Sequence, residues 1–213
     1  MENYIMFKGQ KIELTEGQIS QIERVVREES CESGVQRIYS DTQLADIPAG
    51  ETFKIGKYEF VVLEHCESGT NVILKDLLKE NEEFGDCNNF KDSNVDHICS
   101  EFATEIKKII GPVNLLTHTV DLTSDDGLKC YGTVERRMSL LTADLYRRWV
   151  EILDKHKLDK WWWLATPYST PKHDDDAWIK CVSPSGRIDN DSGNRNYGVR
   201  PFCILKSDIF VSR

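Results

Sequence analysis

The chain has 213 residues, of which 39% are hydrophobic, 30% charged and 9% aromatic, and it carries a formal net charge of −9. That length suits one generous domain with a short appendage, large enough to bury a core without a metal or disulfide staple. The balance excludes a disordered chain, and the negative charge disfavours a dedicated nucleic-acid binder or a protein drawn to an anionic membrane.

No apolar run nears the roughly 18 residues that span a bilayer, so membrane insertion is not expected. The start, Met1-Glu2-Asn3-Tyr4-Ile5-Met6, lacks the basic flank and apolar stretch of a signal peptide. A soluble protein, cytoplasmic or virion-associated, is the expectation. Cys31, Cys66, Cys87, Cys99, Cys130, Cys181 and Cys203 make an odd count without a Cys-x-x-Cys pair. Neither a zinc site nor a closed disulfide framework is signalled, and most should be small buried hydrophobes.

Thr15 and Gln18 offer a capping box, followed by Ile19, Ile22, Val25 and Val26 on one helical face. An amphipathic helix is expected from Thr15 to about Cys31, within an N-terminal helical extension over residues 1–38. From Thr52 the period changes: Phe53 and Ile55, a Gly56-Lys57 turn, then Tyr58, Phe60 and Val62 read as a β-hairpin. Glu67-Ser68-Gly69 turns the chain into a third strand at Val72-Ile73-Leu74. Residues 76–105 hold nine acids against two lysines, and the first half of this stretch reads as loop. Val95, Ile98, Phe102, Ile106 and Ile109 then keep helical spacing from a Ser93 start to a Gly111-Pro112 stop. A further helix is capped by Thr142, with Leu145, Trp149, Ile152 and Leu153 on one face and Lys155, His156 and Lys157 at its negative end.

Beyond residue 158 the texture is of short strands, Trp161–Leu164, Ala177–Val182 and Val199–Leu205, separated by polar turns. Strands at both ends with helices between them predict an α+β domain over residues 39–213. Successive indoles at Trp161, Trp162 and Trp163 alternate faces on a strand, so one is a candidate aromatic platform, with Trp178 joining it. The segment from Ile188 to Tyr197 is rich in Asp and Asn but fails the register of a calcium loop, since Gly193 and Arg200 fall at positions 5 and 12 counted from Asp189. No metal site and no cofactor are expected. His65, His97, His118, His156 and His173 are scattered, and no nucleophile elbow, phosphate loop or dinucleotide fingerprint is present. No catalytic residues are assigned. Arg200, between Val199 and Pro201, must find a carboxylate or backbone carbonyls and is read as a structural anchor; Pro201 belongs at an edge or a break in a ladder.

Taken in order, Leu44-x-Asp46-Ile47-x-x-Gly50, Tyr58-Glu59-Phe60-Val61-Val62-Leu63, Trp162-Trp163-Leu164-x-x-Pro167 and Gly198-Val199-Arg200-Pro201 resemble an uncharacterised domain family of bacteria and their phages. The likeness covers roughly residues 39–207. That family is similar to C-type-lectin-like folds, as in formylglycine-generating enzymes and the variable proteins of diversity-generating retroelements. The resemblance implies two main helices, small twisted antiparallel sheets and a loop-rich face built from the C-terminal third.

The reading favoured here is a noncatalytic module that binds a protein or glycan ligand through Trp162, Trp178, Asp189, Asn190, Asn194, Asn196 and Tyr197. Two alternatives stand beside it. One is an oxidoreductase of the formylglycine-generating kind, using Cys181 and Cys203 as a copper-binding pair. The other is a structural assembly protein of a phage or bacterium, homo-oligomeric through the helix at 15–31.

Overall fold

A computed structural model describes residues 4–7, 10–13, 15, 17, 18 and 42–213. The chain divides into two compact units, Met1–Tyr39 and Ser40–Arg213. In the first, β1 (Tyr4–Phe7) pairs antiparallel with β2 (Gln10–Glu13), from Tyr4↔Glu13 to Phe7↔Gln10. This hairpin, absent from the sequence reading, precedes the expected helix. The capping box is formed: the Gln18 amide donates to Thr15 Oγ1 at 3.4 Å and the Thr15 amide to Gln18 Oε1 at 2.9 Å. The rest of that helix, over 19–31, lies outside the described residues.

The second unit is α+β, with many strands and few helices. Its strands begin with β3 (Thr42–Gln43), β4 (Thr52–Ile55), β5 (Tyr58–Cys66), β6 (Gly69–Leu74) and β7 (Lys79–Glu82). Helix α1 (Asn94–Ile110) leads into β8 (Leu115–Leu116), β9 (His118–Asp121), β10 (Thr133–Arg136) and β11 (Met138–Ser139). Helices α2 (Ala143–Arg148) and α3 (Val150–Lys155) precede β12 (Trp162–Pro167), β13 (Trp178–Val182), β14 (Ile188–Ser192), β15 (Tyr197–Val199), β16 (Phe202–Leu205) and β17 (Phe210–Val211).

The expected meander is present. β4 and β5 pair around Gly56 at φ 59°, and β5 and β6 turn at Gly69. Only glycine fits at 69, where φ is 146° and a Cβ would stand 2.5 Å from the Leu205 carbonyl oxygen. These strands belong to a six-stranded sheet ordered β11-β16-β6-β5-β4, with β8 also on β16. The run Phe60-Val61-Val62-Leu63 is wholly buried because both faces of this sheet are covered. Phe60 and Val62 meet Val95, Cys99, Phe102 and Ile106 of α1 in one core, while Val61 and Leu63 meet Tyr146, Trp149 and Leu153 in another. Each such side chain taken from water contributes about 1.5–3 kcal/mol before entropy is charged against it.

Helix α1 has the expected ends: Ser93 Oγ accepts the Asp96 amide at 3.2 Å, and Gly111 terminates it at φ 85°. The Thr142 cap is also present, accepting the Leu145 amide at 3.2 Å. The single helix expected after it is instead two. The backbone leaves helical geometry at Trp149 (φ −111°, ψ 19°), whose indole packs on Phe202 at 5.7 Å.

A five-stranded sheet ordered β14-β13-β12-β15-β7 holds the C-terminal third. The expected closing strand is split. β15 lies parallel to β12 through Gly198↔Trp162, while β16 lies antiparallel to β6 through Phe202↔Ile73. Arg200 and Pro201 are the crossing between sheets, where Pro201 needs no N–H and its carbonyl accepts the Leu74 amide at 2.9 Å. At the ends of the unit, β17 pairs with β3. Among the described residues no helix is long and apolar enough to cross a membrane.

One partly buried histidine makes stability pH-dependent. His118 sits edge-on to Phe202 at 5.2 Å, with Nε2 2.9 Å from Ser139 Oγ. Ser139 Oγ donates to the Leu140 carbonyl, so Nε2–H is the donor to it and Nδ1 has no partner among the described residues. Burial holds this imidazole down to about 4 from 6.5, with Glu135 acting weakly the other way. The folded state therefore disfavours the proton. The contribution is complete above pH 6.5 and is lost as the pH falls toward 4, up to about 3 kcal/mol. Urea unfolding at pH 7 and pH 4.5 should show a smaller acid loss for His118→Gln than for the parent; equal losses would contradict this.

Candidate functional site

The outer end of the five-stranded sheet is a ribbon in which side chains alternate between two faces. Pro167 pairs with Ile179, and the Tyr168 amide donates to the Trp178 carbonyl at 2.9 Å, so Tyr168 and Trp178 stand directly opposite on one face. They are 44% and 43% exposed, unlike the buried residues that precede Tyr168 on β12. Lys180 follows on the same face, its Nζ 5.7 Å from the Tyr168 ring centroid. Asn190 and Ser192 of β14 pair across from Lys180 and Trp178 and share that face.

Asn88, fully buried, fixes the backbone under both aromatics. Its Nδ2 donates to the carbonyls of Ser169 and Trp178, each at 3.1 Å, while Oδ1 accepts Tyr131 O–H at 2.7 Å.

Beside this face the β9–β10 connection forms a wall between two adjoining cavities that share Asp125. One, of about 430 Å³, is lined by Thr119, Asp121, Thr123, Asp144, Arg147 and Thr166 among others. The other, of about 400 Å³, is lined by Asp125, Asp126, Tyr168, Ser169, His173 and Asp175. Lys180 Nζ reaches Asp125 Oδ2 at 3.2 Å and Arg147 reaches Oδ1 at 3.0 Å. Burial acts to raise the Asp125 carboxyl, but hydrogen bonds and charge from Arg147 and Lys180 outweigh it and hold it below the usual range. Asp126 accepts from Ser124 Oγ at 2.5 Å, Ser169 Oγ at 2.6 Å and His173 Nδ1 at 2.9 Å, and these bonds hold it far below an ordinary carboxylic acid. Both carboxylates are therefore acceptors at neutral pH. Asp175 Oδ1 takes the amides of Ala177 and Trp178 at 3.0 and 3.1 Å.

The residues singled out from sequence do not form one surface. Trp162 is 2% exposed, in the second core with Tyr146, because the strand is covered on both sides; it cannot serve as a platform. Trp178 and Asn190 lie on the face with Tyr168. Asp189 pairs with Cys181 and points to the opposite face, as does Asp191, which accepts Tyr197 O–H at 2.6 Å. The Tyr197 ring is half-buried, stacked on Trp161 at 5.5 Å and tilted against Trp163 at 4.6 Å. Asn194 and Asn196 are exposed in the turn between β14 and β15.

The Asp- and Asn-rich segment, expected as loop, is the edge strand β14. Its acids close that edge: Asp189 Oδ1 accepts the Asn190 amide at 3.0 Å and Asp191 Oδ1 accepts the Ser192 amide at 2.8 Å. Asp189 also takes Arg187 at 2.7 Å. Amides tied to their own chain are withheld from a neighbouring strand. The Asp189→Ala/Asp191→Ala double variant should associate with rising concentration in light scattering; a constant mass would contradict the blocking role. Among the described residues, no three His, Cys, Asp or Glu side chains converge as a metal site.

Arg200, 1% exposed, spans three carbonyls: Leu74 and Lys75 at 2.9 Å each and His156 at 3.2 Å, with the guanidinium 5.3 Å from the Trp162 ring centroid. Cys181 and Cys203 lie in different sheets. Burial pushes the Cys181 thiol up to about 12 and raises the Cys203 thiol as well.

Sequence reasoning missed Tyr168, Lys180, Asp125, Asp126 and Ser169, and treated His173 as one of the scattered histidines. The available signal was the polar run Tyr168-Ser169-Thr170 just past an apolar strand. Comparison of the chain with protein-family models, curated proteins and solved structures finds no match.

Proposed function

We propose that this chain is a noncatalytic recognition module that binds a protein or glycan ligand, with Tyr168 and Trp178 at the centre of the contact surface. The observation that carries the reading is this cross-strand pair. Two large aromatic side chains are left nearly half exposed, joined by the Tyr168 amide's bond to the Trp178 carbonyl, beside polar cavities. Such rings bring large contact area at small entropic cost. Trp178, Asn190, Asn194 and Asn196 remain from the original candidate set; Tyr168, Lys180 and the Asp125–Asp126 wall are added.

The same proposal takes the second unit as a C-type-lectin-like domain of the bacterial and phage family that its motifs resemble, akin to retroelement variable proteins. Two layers of helix on twisted antiparallel sheet and the pairing of β17 with β3 support that view. A cytoplasmic or virion setting, without nucleic-acid or membrane partners, goes with the net charge of −9. The assembly reading rests on residues outside those described.

A glycan array and a displayed peptide library, each probed with the parent chain and with Trp178→Ala, test the proposal. Binding that falls at least tenfold in the variant supports it. Absence of binding on both, or binding indifferent to Trp178, would overturn it.

A further inference from the structure

We infer that the cavity beside Tyr168 takes a polyhydroxylated ligand without acidic groups, a neutral or amino-substituted sugar, stacked on the Tyr168 ring. The inference rests on the recognition reading above and narrows it to one ligand chemistry. At about 400 Å³ the cavity falls in the small-ligand range of roughly 300–1,000 Å³. Its lining contains no aliphatic side chain: Tyr168 is joined by Asp125, Asp126, Ser169, His173 and Asp175. A lipid or an apolar cofactor would leave these groups unpaired, at a cost of about 1–3 kcal/mol for each one buried.

The wall is rich in acceptors. Asp126, held ionised, takes His173 Nδ1–H at 2.9 Å, which fixes the ring at the edge of the cavity. Asp175 spends Oδ1 on two backbone amides, and Oδ2 has no partner among the described residues. Sugar hydroxyls, or a sugar ammonium, supply the matching donors. Carboxylate, sulfate and phosphate groups would instead meet like charge at Asp126 and Asp175.

The aromatic pair supplies what hydroxyl binding alone cannot. Tyr168, the residue after β12, stands opposite Trp178 of β13, where facing Cβ atoms are roughly 4.5–5.5 Å apart, giving two neighbouring stacking surfaces. An oligosaccharide presents apolar C–H faces at successive rings and hydroxyls at their rims, and so matches rings and wall together. A peptide main chain offers donors and acceptors in equal number and uses the acceptor wall less fully. Glycoside cleavage needs a carboxyl that carries a proton, whereas Asp125 and Asp126 are held ionised by their partners, which suits holding a sugar rather than cutting it.

Isothermal titration of the full chain with three probes tests the inference: the glucosamine tetramer, cellotetraose and tetragalacturonate. The first two are expected to bind and the third at least tenfold more weakly. Tyr168→Ala and Asp175→Ala should each weaken binding at least tenfold, while Val113→Ala, on the exposed turn after α1, should not. Thermal melts establish that each variant is folded. Binding of tetragalacturonate as tight as that of cellotetraose, binding unchanged by Tyr168→Ala, or binding of none of the three would overturn the inference. In the last case a library peptide captured by the parent and lost in Trp178→Ala leaves the recognition surface standing and removes only the sugar. Failure of sugars and peptides alike removes both.

Discussion

Arg200→Ala is expected to destabilise the second unit by of order 4 kcal/mol, read as a drop in the urea midpoint at constant slope. The guanidinium is 1% exposed and is the only side chain that hydrogen-bonds Leu74, Lys75 and His156 together among the described residues. Those carbonyls belong to the end of β6, the residue after it and the residue after α3, so one side chain joins the six-stranded sheet to the helical layer. Truncation takes the donor from one buried and two partly buried carbonyls and opens a void beside the Trp162 ring. Burial lowers the guanidinium to about 10, which leaves it charged at neutral pH and tells how little water reaches it. Arg200→Lys should recover less than half the loss, because an ammonium is a point donor and cannot span three carbonyls as the planar fork does. A loss under about 1 kcal/mol for the alanine variant would mean that the crossing is held by Pro201 and the ladders alone.

Asp96→Ala should cost about 3–5 kcal/mol. Asp96, 3% exposed in the first turn of α1, takes Arg136 in a two-pronged contact of 2.8 and 2.7 Å and also accepts the Asp92 amide at 3.0 Å. The helix dipole adds to the advantage of a carboxylate there. Arg136 in turn is held more firmly protonated by that hydrogen bond. Alanine leaves a partly buried guanidinium with only the exposed Asp92 carboxylate at 3.9 Å and the Glu135 carbonyl at 3.0 Å. The Asp96→Leu/Arg136→Met pair removes both charges and should restore most of the stability, since the loss arises from the stranded partner. A double variant as unstable as Asp96→Ala would place the loss in helix capping instead.

Where local chemistry decides structure, the residues alone were enough. Ser93 and Gly111 mark both ends of α1, and the Gly56 and Gly69 turns with Phe60–Leu63 mark the meander. Where tertiary contacts decide, they were not. Asp189-Asn190-Asp191 has poor strand propensity and reads as loop, yet pairing with β13 and the capture of edge amides by the aspartates make it a strand. Val199–Leu205 reads as one apolar strand, and nothing local says that Arg200 and Pro201 carry it from one sheet to another. Trp162 and Trp178 look alike in sequence; the layer of α2 and α3 buries the first and leaves the second open. The candidate site was the least legible. Its parts come from 125–126, 168–175 and 178–180, brought together by the β12–β13 pairing and by Asn88.

The claim on which the functional reading turns is that the Tyr168–Trp178 face is where ligand lands. Mapping of backbone amide shifts on titrating the full chain with the glucosamine tetramer tests it most directly. Shifts clustered at Tyr168, Ser169, His173, Trp178 and Lys180 are the expected result. Shifts confined to Asn194–Tyr197 or to the α1 side of the domain would contradict it, and shifts absent altogether would remove the sugar and pass the question to the peptide captured from the library.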